Sequence, residues 1–552
     1  MWSKKICKFL NSRVGGKNII LLVFLLFTVV PLLYATALII LVSKKPSPNK
    51  LANTKIIQDY SSINRDVFSD QCRGRILDRN GSILAMNIRS YSFYVRPFYW
   101  SNFAVEIAKL RHLFPKKKAF IDSIENKLKS AQSQENTRIL IASNLLLSDR
   151  QKIVHTGLMG IEFQDSYRRM YPHKNTASHL VGFSNSEGPV MGIERYFDKN
   201  LEQGKDVVLS IDINAQFMLR KTIAHEVKKY KANGGFGVIM NVENGEVVAA
   251  VSYPDFNPNA YGSYSNASMY NSYAFGVYEL GSVFKVFTLA LAAKNNMSFT
   301  KKYSIEQSIE MGSYTISNFR YSLRRDNLTI PQIMIYSSNI GCVRLIEEIG
   351  RNKQIEFYRQ LGFDRTLDIE IYEKAKPLWP KQWKAIEMAT ASYGHGISVS
   401  PLHFTAAVAG VVNGGNYIMP TFIKNGNQDD LGKRKGGVSI MTKSSSDQVN
   451  KVLSDIVDYG TGKKAKLKDY NIGGKTGTSN KIINGKYDIN KVLVSFFAVL
   501  PAQNPQYVFY IGIDEPKLDN RRATGGNVVA NAIANMVAFT GPMLGITVSK
   551  SA

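Results

Sequence analysis

The stretch "NIGGKTGTSN", Asn471 to Asn480, supports two incompatible interpretations, and the choice between them decides the fold. Gly474-Lys475-Thr476 matches the end of a phosphate-binding loop, whereas Lys475-Thr476-Gly477-Thr478 matches one wall of a site built around a nucleophilic serine. A phosphate-binding loop needs a glycine five positions before Gly474, but Asp469 stands there. The residues that follow, "SNKIINGKYD", are polar and turn-like and do not predict the helix that binds phosphate. The nucleotide-binding interpretation therefore fails.

A candidate nucleophile lies in "YELGSVFKVFTLALAAKN", Tyr278 to Asn295. Ser282 and Lys285 stand three residues apart at the start of an apolar helix, which places both side chains on one helix face. Gly281 permits a tight turn before them. Burial next to a second cation lowers the pKa of a lysine, so the Lys285 amine can act as the base toward Ser282.

A Ser-x-x-Lys pair alone is ordinary helix surface, because Ser47-x-x-Lys50 and Ser298-x-x-Lys301 have the same pattern. Its weight comes from two further motifs that follow in order. The first is Ser337-Ser338-Asn339, and the second is Lys475-Thr476-Gly477, which occurs once in the chain. SxxK, SxN and KTG in this order are the three motifs of penicillin-interacting serine acyltransferases.

The composition is that of a globular protein with a basic surface. The chain has 552 residues, with 28 phenylalanines and 28 tyrosines, enough for the cores of two or three domains. Lysine and arginine number 70 against 43 acidic residues, a formal net charge of +27. Because short runs such as Lys116-Lys117-Lys118 are isolated, a solvated surface is favoured over a nucleic-acid site. Attraction to an anionic membrane or polymer remains open.

The segment from Ile19 to Val42 carries no charge and is long enough to cross the roughly 30 Å hydrocarbon core of a bilayer. It predicts a transmembrane helix rather than a cleaved signal peptide, because no small-x-small cleavage pattern follows it. Only basic charges precede it, which predicts a cytoplasmic tail at residues 1–18 and export of everything after Val42.

The pattern predicts neither a metal site nor a cofactor. Cys7 falls on the cytoplasmic side, and Cys72 and Cys342 are far apart with no CxxC, which favours two unpaired thiols. His225-Glu226 begins like HExxH, but Lys229 stands where the second histidine ligand is required.

Alternation and turn signals predict an α+β fold with two exported domains. The first, residues 43–203, combines a linker with a mixed α/β domain, and the second, residues 204–552, contains an antiparallel sheet faced by helices. The expected elements are two strands around Asp78–Gly81, helices at Phe103–Phe114 and Ala119–Ala131, a strand at Val207–Ile211, a helix at Asn214–Lys231, a hairpin turning at Glu243–Glu246, strands at Leu493–Leu500 and Tyr507–Ile513, and a closing helix at Asn527–Phe539.

With these motifs in place, the chain resembles the class B penicillin-binding proteins, and among them the division-specific peptidoglycan D,D-transpeptidases. The resemblance covers nearly the whole chain. Beyond the three motifs and the single anchor, it is carried by Arg73–Ala85, "GIERYFDKNL" at Gly192–Leu201, "YPDFNPN" at Tyr253–Asn259, "SYGHGISVSPL" at Ser392–Leu402 and "YGTGKKA" at Tyr459–Ala465. It implies a pedestal domain followed by a transpeptidase domain with a serine β-lactamase-like fold. We refer below to residues 43–203 as the pedestal and to residues 204–552 as the transpeptidase region.

The resemblance also implies roles for the motif residues. Ser282 would attack the penultimate D-alanine of a stem pentapeptide that ends in D-Ala-D-Ala, with Lys285 taking its proton. Ser337, between Lys285 and Lys475, would pass that proton to the departing D-alanine, and Asn339 would hold the substrate backbone.

The same resemblance assigns the remaining motif residues to substrate binding. Thr476, Gly477 and Thr478 would line the subsite for the terminal carboxylate, and the N–H groups of Ser282 and Thr478 would form an oxyanion hole. β-Lactams would acylate Ser282.

Other functions remain as alternatives to septal cross-linking. An elongation-specific class B transpeptidase shares the chemistry, while a membrane-anchored β-lactamase or β-lactam sensor fits the long pedestal and short tail less well. His395, between two glycines, is interpreted as structural. The resemblance implies an enzyme of the cytoplasmic (inner) membrane at the division septum. Its implied partners are an FtsW-type glycosyltransferase and other divisome proteins, without nucleic acid.

Overall fold

The computed structural model describes residues 73–312, 314–318, 326–425, 436–519 and 522–546. The predicted tail, the membrane span and the whole linker, Ser43 to about Ser62, lie outside these ranges. Across the part of the chain that is described, no helix is both long and apolar enough to span a bilayer. The described residues all fall within one compact unit, Cys72–Ala552, which therefore contains the described parts of both the pedestal and the transpeptidase region.

The pedestal combines a sheet with short helices. Its strands, with one that follows residue 203, are β1 Ile76–Leu77, β2 Ile83–Val95, β3 Ile139–Leu145, β4 Ile161–Met170, β5 Phe183–Asn185, β6 Gly188–Met191 and β7 Val207–Val208. Its helices are α1 Phe103–Leu113, α2 Lys118–Ser123, α3 Glu125–Ser130, α4 Leu147–His155, α5 Ser178–Val181, α6 Gly192–Tyr196 and α7 Asp198–Glu202, with 3₁₀ turns at Pro97–Tyr99, Pro115–Lys117, Ala131–Ser133 and Lys174–Ala177.

The pedestal sheet has the order β3-β2-β1-β7, and β4 also pairs with β2. The predicted hairpin joins β1 to β2 in an antiparallel pair. Its turn is held by Asp78 Oδ1, which accepts from the backbone N–H groups of Asn80 at 2.8 Å and Ser82 at 2.7 Å. The other carboxylate oxygen accepts from Ile213 N at 3.1 Å, so the turn also connects the pedestal to the next region.

The transpeptidase region continues with strands β8 Gly234–Asn241, β9 Val247–Tyr253, β10 Lys302–Ser304, β11 Ser308–Met311, β12 Tyr314–Ser317, β13 Asn327–Thr329, β14 Asn416–Tyr417, β15 Val438–Ser439, β16 Gly473–Ile483, β17 Lys486–Leu500 and β18 Tyr507–Asp514. Its helices are α8 Ile213–Lys229, α9 Asn266–Met269, α10 Lys285–Lys294, α11 Ile330–Tyr336, α12 Asn339–Ile349, α13 Arg351–Gln360, α14 Ala385–Ala391, α15 Pro401–Val412, α16 Lys443–Tyr459, α17 Gly525–Val528 and α18 Ala530–Met543, with 3₁₀ turns at Pro258–Ser263, Gly281–Phe284 and Lys463–Ala465.

Its main sheet is five-stranded and antiparallel, in the order β16-β17-β18-β8-β9, which confirms the predicted architecture. Side chains along β18 alternate between its two faces. Phe509 and Ile511 pack in the core under α8 and α18, whereas Val508 and Tyr510 pack in the core with α10 and α15. Both faces of the sheet are therefore covered by helices, and only the hairpin end of β16 and β17, around Ile482 to Ile489, is exposed.

Three predicted elements are shorter or interrupted. The strand predicted at Val207–Ile211 ends at Val208, because Leu209 and Ser210 turn to pair with Ile423 and Phe422. The helix predicted at Ala119–Ala131 divides at Ile124 into α2 and α3, and the closing helix divides at Val529 into α17 and α18.

Candidate active site

Ser282 lies on the 3₁₀ turn Gly281–Phe284, immediately before α10. Gly281 has φ +60°, and a Cβ at this position would stand 2.7 Å from the carbonyl oxygen of Thr478. A glycine is therefore required for the nucleophile turn to lie against β16. This contact brings the SxxK and KTG motifs together at the edge of the main sheet.

Ser337 joins the two lysines of the motifs. Lys285 Nζ donates to Ser337 Oγ at 3.1 Å and to the Ser337 carbonyl oxygen at 2.7 Å. Lys475 Nζ donates to the same Oγ at 2.9 Å and to the Thr476 carbonyl oxygen at 3.2 Å. The structure thus brings together Lys285, Ser337 and Lys475 by direct hydrogen bonds. Ser282 is three residues before Lys285, on the 3₁₀ turn that leads into α10.

Both lysines are buried without a counter-charge. Lys285 is 0% exposed and Lys475 is 1% exposed, and neither forms an ion pair with a carboxylate in the described residues. Burial lowers the pKa of Lys285 to about 8. Burial and the nearby Lys285 lower the pKa of Lys475 well below its usual range. An amine that loses its proton near neutral pH can accept the proton of a serine hydroxyl.

The SxN motif occupies the junction between α11 and α12. Ser337 ends α11 with a left-handed backbone, φ 59° and ψ 45°, which is uncommon for a residue other than glycine. Ser338 is the N-cap of α12, and its hydroxyl accepts from Gly341 N at 2.9 Å. Asn339 is the first residue of α12, and its Nδ2 donates to the Ser317 carbonyl oxygen at 2.9 Å. This junction turns the Ser337 hydroxyl toward the two lysines.

The KTG residues lie on β16, with Gly477 paired to Ser495 of β17. Thr476 Oγ1 donates to Thr461 Oγ1 at 2.8 Å, and Thr478 Oγ1 accepts from Gly525 N at 3.3 Å. Gly477 is in a narrow space, because a Cβ there would stand 2.5 Å from Ser495 Oγ. The two threonine hydroxyls therefore lie one residue on either side of a glycine that β17 and the nucleophile turn approach closely.

His395 is a neutral neighbour of the site. Its burial and the nearby Lys285 lower the pKa of His395 to about 4. The ring packs against Tyr393 and Tyr487, with centroids 5.3 and 5.5 Å apart, and its Nδ1 has no hydrogen-bond partner within the described residues. These contacts are those of a packed aromatic-like ring, as the sequence interpretation expected.

Sequence reasoning missed several polar residues at the site. Glu279 accepts from Gly396 N at 2.8 Å and from the Tyr487 hydroxyl at 2.9 Å, so it fastens the YGHG segment and the β16–β17 hairpin beside the nucleophile turn. Thr461 lies in "YGTGKKA", which the resemblance included without assigning a role. Asn318 carries no motif at all. Glu279 stands three residues before Ser282 in the stretch that carries the nucleophile, whereas only long-range contacts place Asn318 at the site.

Comparisons with known proteins agree with this geometry. Residues 235–538 match the family described as the penicillin binding protein transpeptidase domain, and residues 70–208 match the penicillin-binding protein dimerisation domain. The chain is 30% identical over 493 residues to a probable peptidoglycan D,D-transpeptidase FtsI of Caulobacter vibrioides, covering 86% of this chain and 82% of that protein. It is 28% identical over 529 residues to stage V sporulation protein D of Bacillus subtilis, covering 87% and 79%.

A solved structure shares the fold. The crystal structure of penicillin-binding protein 3 from Mycobacterium tuberculosis, complexed with aztreonam, aligns with a TM-score of 0.68 at 20% identity, covering 87% of this chain and 98% of that one. The two-domain architecture, the buried lysine pair around Ser337 and the family matches lead to one assignment. The chain belongs to the penicillin-binding transpeptidases, as an FtsI-like class B penicillin-binding protein.

Proposed function

We propose that this chain cross-links peptidoglycan stem peptides at the division septum, as a serine-type D-Ala-D-Ala transpeptidase that acts through an acyl-enzyme on Ser282. The observation that carries the chemistry is the Ser337 hydroxyl, which accepts hydrogen bonds from two buried lysines that have no carboxylate partner in the described residues. Two like charges do not stabilise the fold as an ion pair does, but they supply a base and a positive potential beside the Ser337 hydroxyl.

Acylation begins at the nucleophile turn. The neutral Lys285 amine takes the proton of the Ser282 hydroxyl as its oxygen attacks the carbonyl carbon of the penultimate D-alanine. Backbone N–H groups of Ser282 and Thr478 stabilise the oxyanion, a contact that contributes about 3–4 kcal/mol for each donor. The C–N bond to the terminal D-alanine then breaks, and the departing amine takes up a proton.

Ser337 is suited to deliver that proton. A hydroxyl has one donor and two acceptor positions, and both lysines donate to the Ser337 oxygen. Its own proton is therefore available to the leaving amine, and Lys285 can replace it with the proton taken from Ser282. An amine of a neighbouring stem peptide then attacks the ester, which forms the cross-link and releases Ser282.

Thr476 and Thr478 are placed to bind the terminal carboxylate. The Thr476 and Thr461 hydroxyls form a pair at 2.8 Å. Because hydroxyl protons rotate, Thr461 can donate to Thr476 when Thr476 donates to a carboxylate. Lys475, one residue before, adds positive potential. β-Lactams carry a carboxylate and a reactive amide carbonyl, so they would occupy the same positions and acylate Ser282.

The proposal includes an anchor and a partner. Residues 19–42 would hold the enzyme in the cytoplasmic membrane, with residues 43–203 as pedestal and 204–552 as transpeptidase domain on the outer side. A cavity of about 640 Å³ lies on the pedestal along α1, lined in part by Val105, Lys109, His112 and Thr156. Val105 is 47% exposed beside it. Polar and apolar residues both line this open depression. On the family resemblance, an FtsW-type glycosyltransferase and other divisome proteins are the proposed partners of the pedestal.

The test of the chemistry uses a labelled penicillin and peptide mass spectrometry on detergent-solubilised protein. Ser282→Ala is the test variant, and Ser298→Ala is the matched control, because Ser298 begins a second Ser-x-x-Lys pattern and is exposed. A stable adduct on Ser282, lost only in Ser282→Ala, is expected. No adduct on folded protein would refute the acyl-enzyme, and rapid release of hydrolysed drug would favour a β-lactamase.

The septal role needs a test in cells, because an elongation-specific class B transpeptidase would share this site. Depletion of the protein is expected to give filaments whose septa fail to close. Swollen or rounded cells that still divide would instead favour the elongation function.

A further inference from the structure

The hairpin of β11 and β12 ends at a residue that contacts the SxN motif from outside. Asn318 follows β12, and its Oδ1 accepts from Asn339 N at 2.8 Å, from Ser338 Oγ at 3.1 Å and from Ile340 N at 3.3 Å. Asn318 is separated from these residues by about one helix and one strand of sequence. The contact is therefore tertiary, and nothing in the sequence of the hairpin predicts it.

The start of α12 explains why an outside acceptor is needed. The first N–H groups of a helix have no partner inside it. Ser338 caps α12, but its hydroxyl serves Gly341 N, so Asn339 N and Ile340 N still lack an acceptor. The Asn318 oxygen supplies one to both. It also receives the Ser338 proton, which fixes the rotamer of the cap.

The same hairpin orients the side chain of Asn339. Nδ2 of Asn339 donates to the Ser317 carbonyl oxygen at 2.9 Å. A carbonyl can only accept, so the nitrogen end of the amide faces Ser317, and Asn339 Oδ1 and the second N–H are left for a ligand. Two consecutive residues, Ser317 and Asn318, thus hold the cap and the amide of the motif.

The upstream side of the junction is fixed by other bonds. The N–H groups of Ser337 and Ser338 donate to the Met334 and Ile333 carbonyl oxygens at 3.2 and 2.9 Å. Ser337 itself has a left-handed backbone, which is uncommon for a residue other than glycine and persists only when its surroundings impose it. The bonds that Asn318 Oδ1 accepts from Ser338, Asn339 and Ile340 are the downstream half of that constraint, on the three residues that follow Ser337.

We propose that Asn318 is a positioning residue for the SxN motif, which holds Ser337 in reach of both lysines and presents the Asn339 amide to the substrate. The inference rests on the proposed function, because it concerns the rate of the same acylation step. The hydrogen bonds of Asn318 are to Ser338, Asn339 and Ile340 rather than to Ser282. It acts through the backbone at the start of α12.

The hairpin is anchored where this role requires it. Ile316, directly before Ser317, is 4% exposed and packs with Val343 of α12 and with Ala389 and Tyr393. This small core holds β12 against α12, the helix whose first N–H groups donate to Asn318. The apolar contact sets the position of the strand, and the Asn318 oxygen then determines the geometry of the junction.

The experiment compares Asn318→Ala, Asn318→Asp and Ser317→Ala in the full-length protein. Ser317 contributes its backbone carbonyl and has an exposed side chain, so Ser317→Ala is the matched control. The second-order rate of acylation by penicillin is measured with the melting temperature and with hydrogen exchange at the Asn339 and Ile340 amides.

Asn318→Ala is expected to slow acylation about 10- to 100-fold, equivalent to about 1.4–2.8 kcal/mol, and to speed exchange of both amides. Asn318→Asp is expected to recover most of the rate, because a carboxylate accepts the same bonds and is favourable at a helix N-terminus. Ser317→Ala should behave as wild type. A wild-type rate in Asn318→Ala would overturn the proposal.

Equal losses in the Ala and Asp variants, in proportion to lowered melting temperatures, would also overturn it, since they would indicate a structural role only. A wild-type protein that forms no adduct would instead refute the proposed function, so the two failures are distinguishable.

Discussion

Two clusters of buried positive charge, one in the pedestal and one in the active site, differ in whether carboxylates neutralise them. In the pedestal, Arg73 and Arg169 contact Glu194, which is 0% exposed, at 2.9 and 2.6 Å, and Arg73 also contacts Asp198 at 2.6 Å. In the active site, Lys285 and Lys475 meet a serine hydroxyl and backbone carbonyls. The first cluster is neutralised by carboxylates, whereas the second is left positive.

The pKa values follow this difference. Burial opposes the charge of Arg73, but Glu194 and Asp198 outweigh it, so the pKa of Arg73 is raised. For Lys285 burial dominates, and the pKa is lowered to about 8. The neutralised arginines connect chain segments, because Arg73 before β1 and Arg169 on β4 both pair with Glu194 on α6. A buried lysine without a carboxylate partner loses its proton more easily, so its neutral amine can accept a proton, whereas its charged form costs stability.

The largest effect is expected when one cation of each cluster is replaced by methionine, because the two variants should respond in opposite ways. Lys285→Met is expected to slow acylation by penicillin about 10²- to 10⁴-fold, because the base is lost. Its melting temperature should equal or exceed that of wild type, since an unpaired buried charge is removed. Arg169→Met should do the reverse, with a normal acylation rate per folded molecule and lower stability.

Acylation kinetics and thermal unfolding of both variants check this prediction. If Lys285→Met unfolded at lower temperature while its acylation rate stayed normal, the contrast between the clusters would be wrong.

The pedestal cluster gives the next effect. Glu194→Gln is expected to lower the free energy of unfolding by about 3–5 kcal/mol, because the Arg169 charge is left buried and Arg73 retains only Asp198. The matched control is Asp165→Asn, which removes the acid of the exposed Arg89–Asp165 pair on the same sheet and should have no measurable effect. Chemical denaturation of both variants measures the change in the free energy of unfolding. Equal changes would show that the burial of Glu194 does not make its ion pairs stronger than the exposed pair.

The smallest effect is a pH dependence confined to the active site. Lys285 is a base only when unprotonated, so the acylation rate should fall as pH drops through about 8, by about tenfold for each further pH unit. A penicillin whose only ionisable group is its carboxylate, followed from pH 6 to 9, measures the profile. Lys285→Met should flatten it. A flat wild-type profile would mean that Lys285 is not the titrating base.

The sequence predicts the fold and much of the site, for identifiable reasons. The hairpins at Asp78–Gly81 and Glu243–Glu246 follow from turn chemistry that is local. The strand at Val207–Ile211 is shorter than predicted because its second half pairs with Ile423 and Phe422, some two hundred residues away. Local propensity contains no information about that partner.

The same limit applies to the site. Ser282, Lys285, Ser337 and Lys475 could be proposed because their order along the chain is itself a signal. Ser282 nevertheless lies on a 3₁₀ turn rather than in the α-helix, a distinction that Gly281 and its contact with Thr478 impose. Asn318 is a single polar residue that belongs to no motif, and its contact with the SxN motif exists only in the folded chain. Glu279 stands next to the SxxK motif in sequence, but its partners Gly396 and Tyr487 are far along the chain.

Cys342 gives this active site an internal reporter. It lies in the first turns of α12 with a fully buried free thiol, and burial raises the pKa of that thiol to about 11. Alkylating reagents need an accessible thiolate, so the native site resists them. Labelling at Cys342, read on its own peptide, therefore counts only molecules in which α12 has opened from the core. The rate of Cys342 alkylation in the wild-type chain therefore measures how often the helix that carries the SxN motif opens, with and without bound drug.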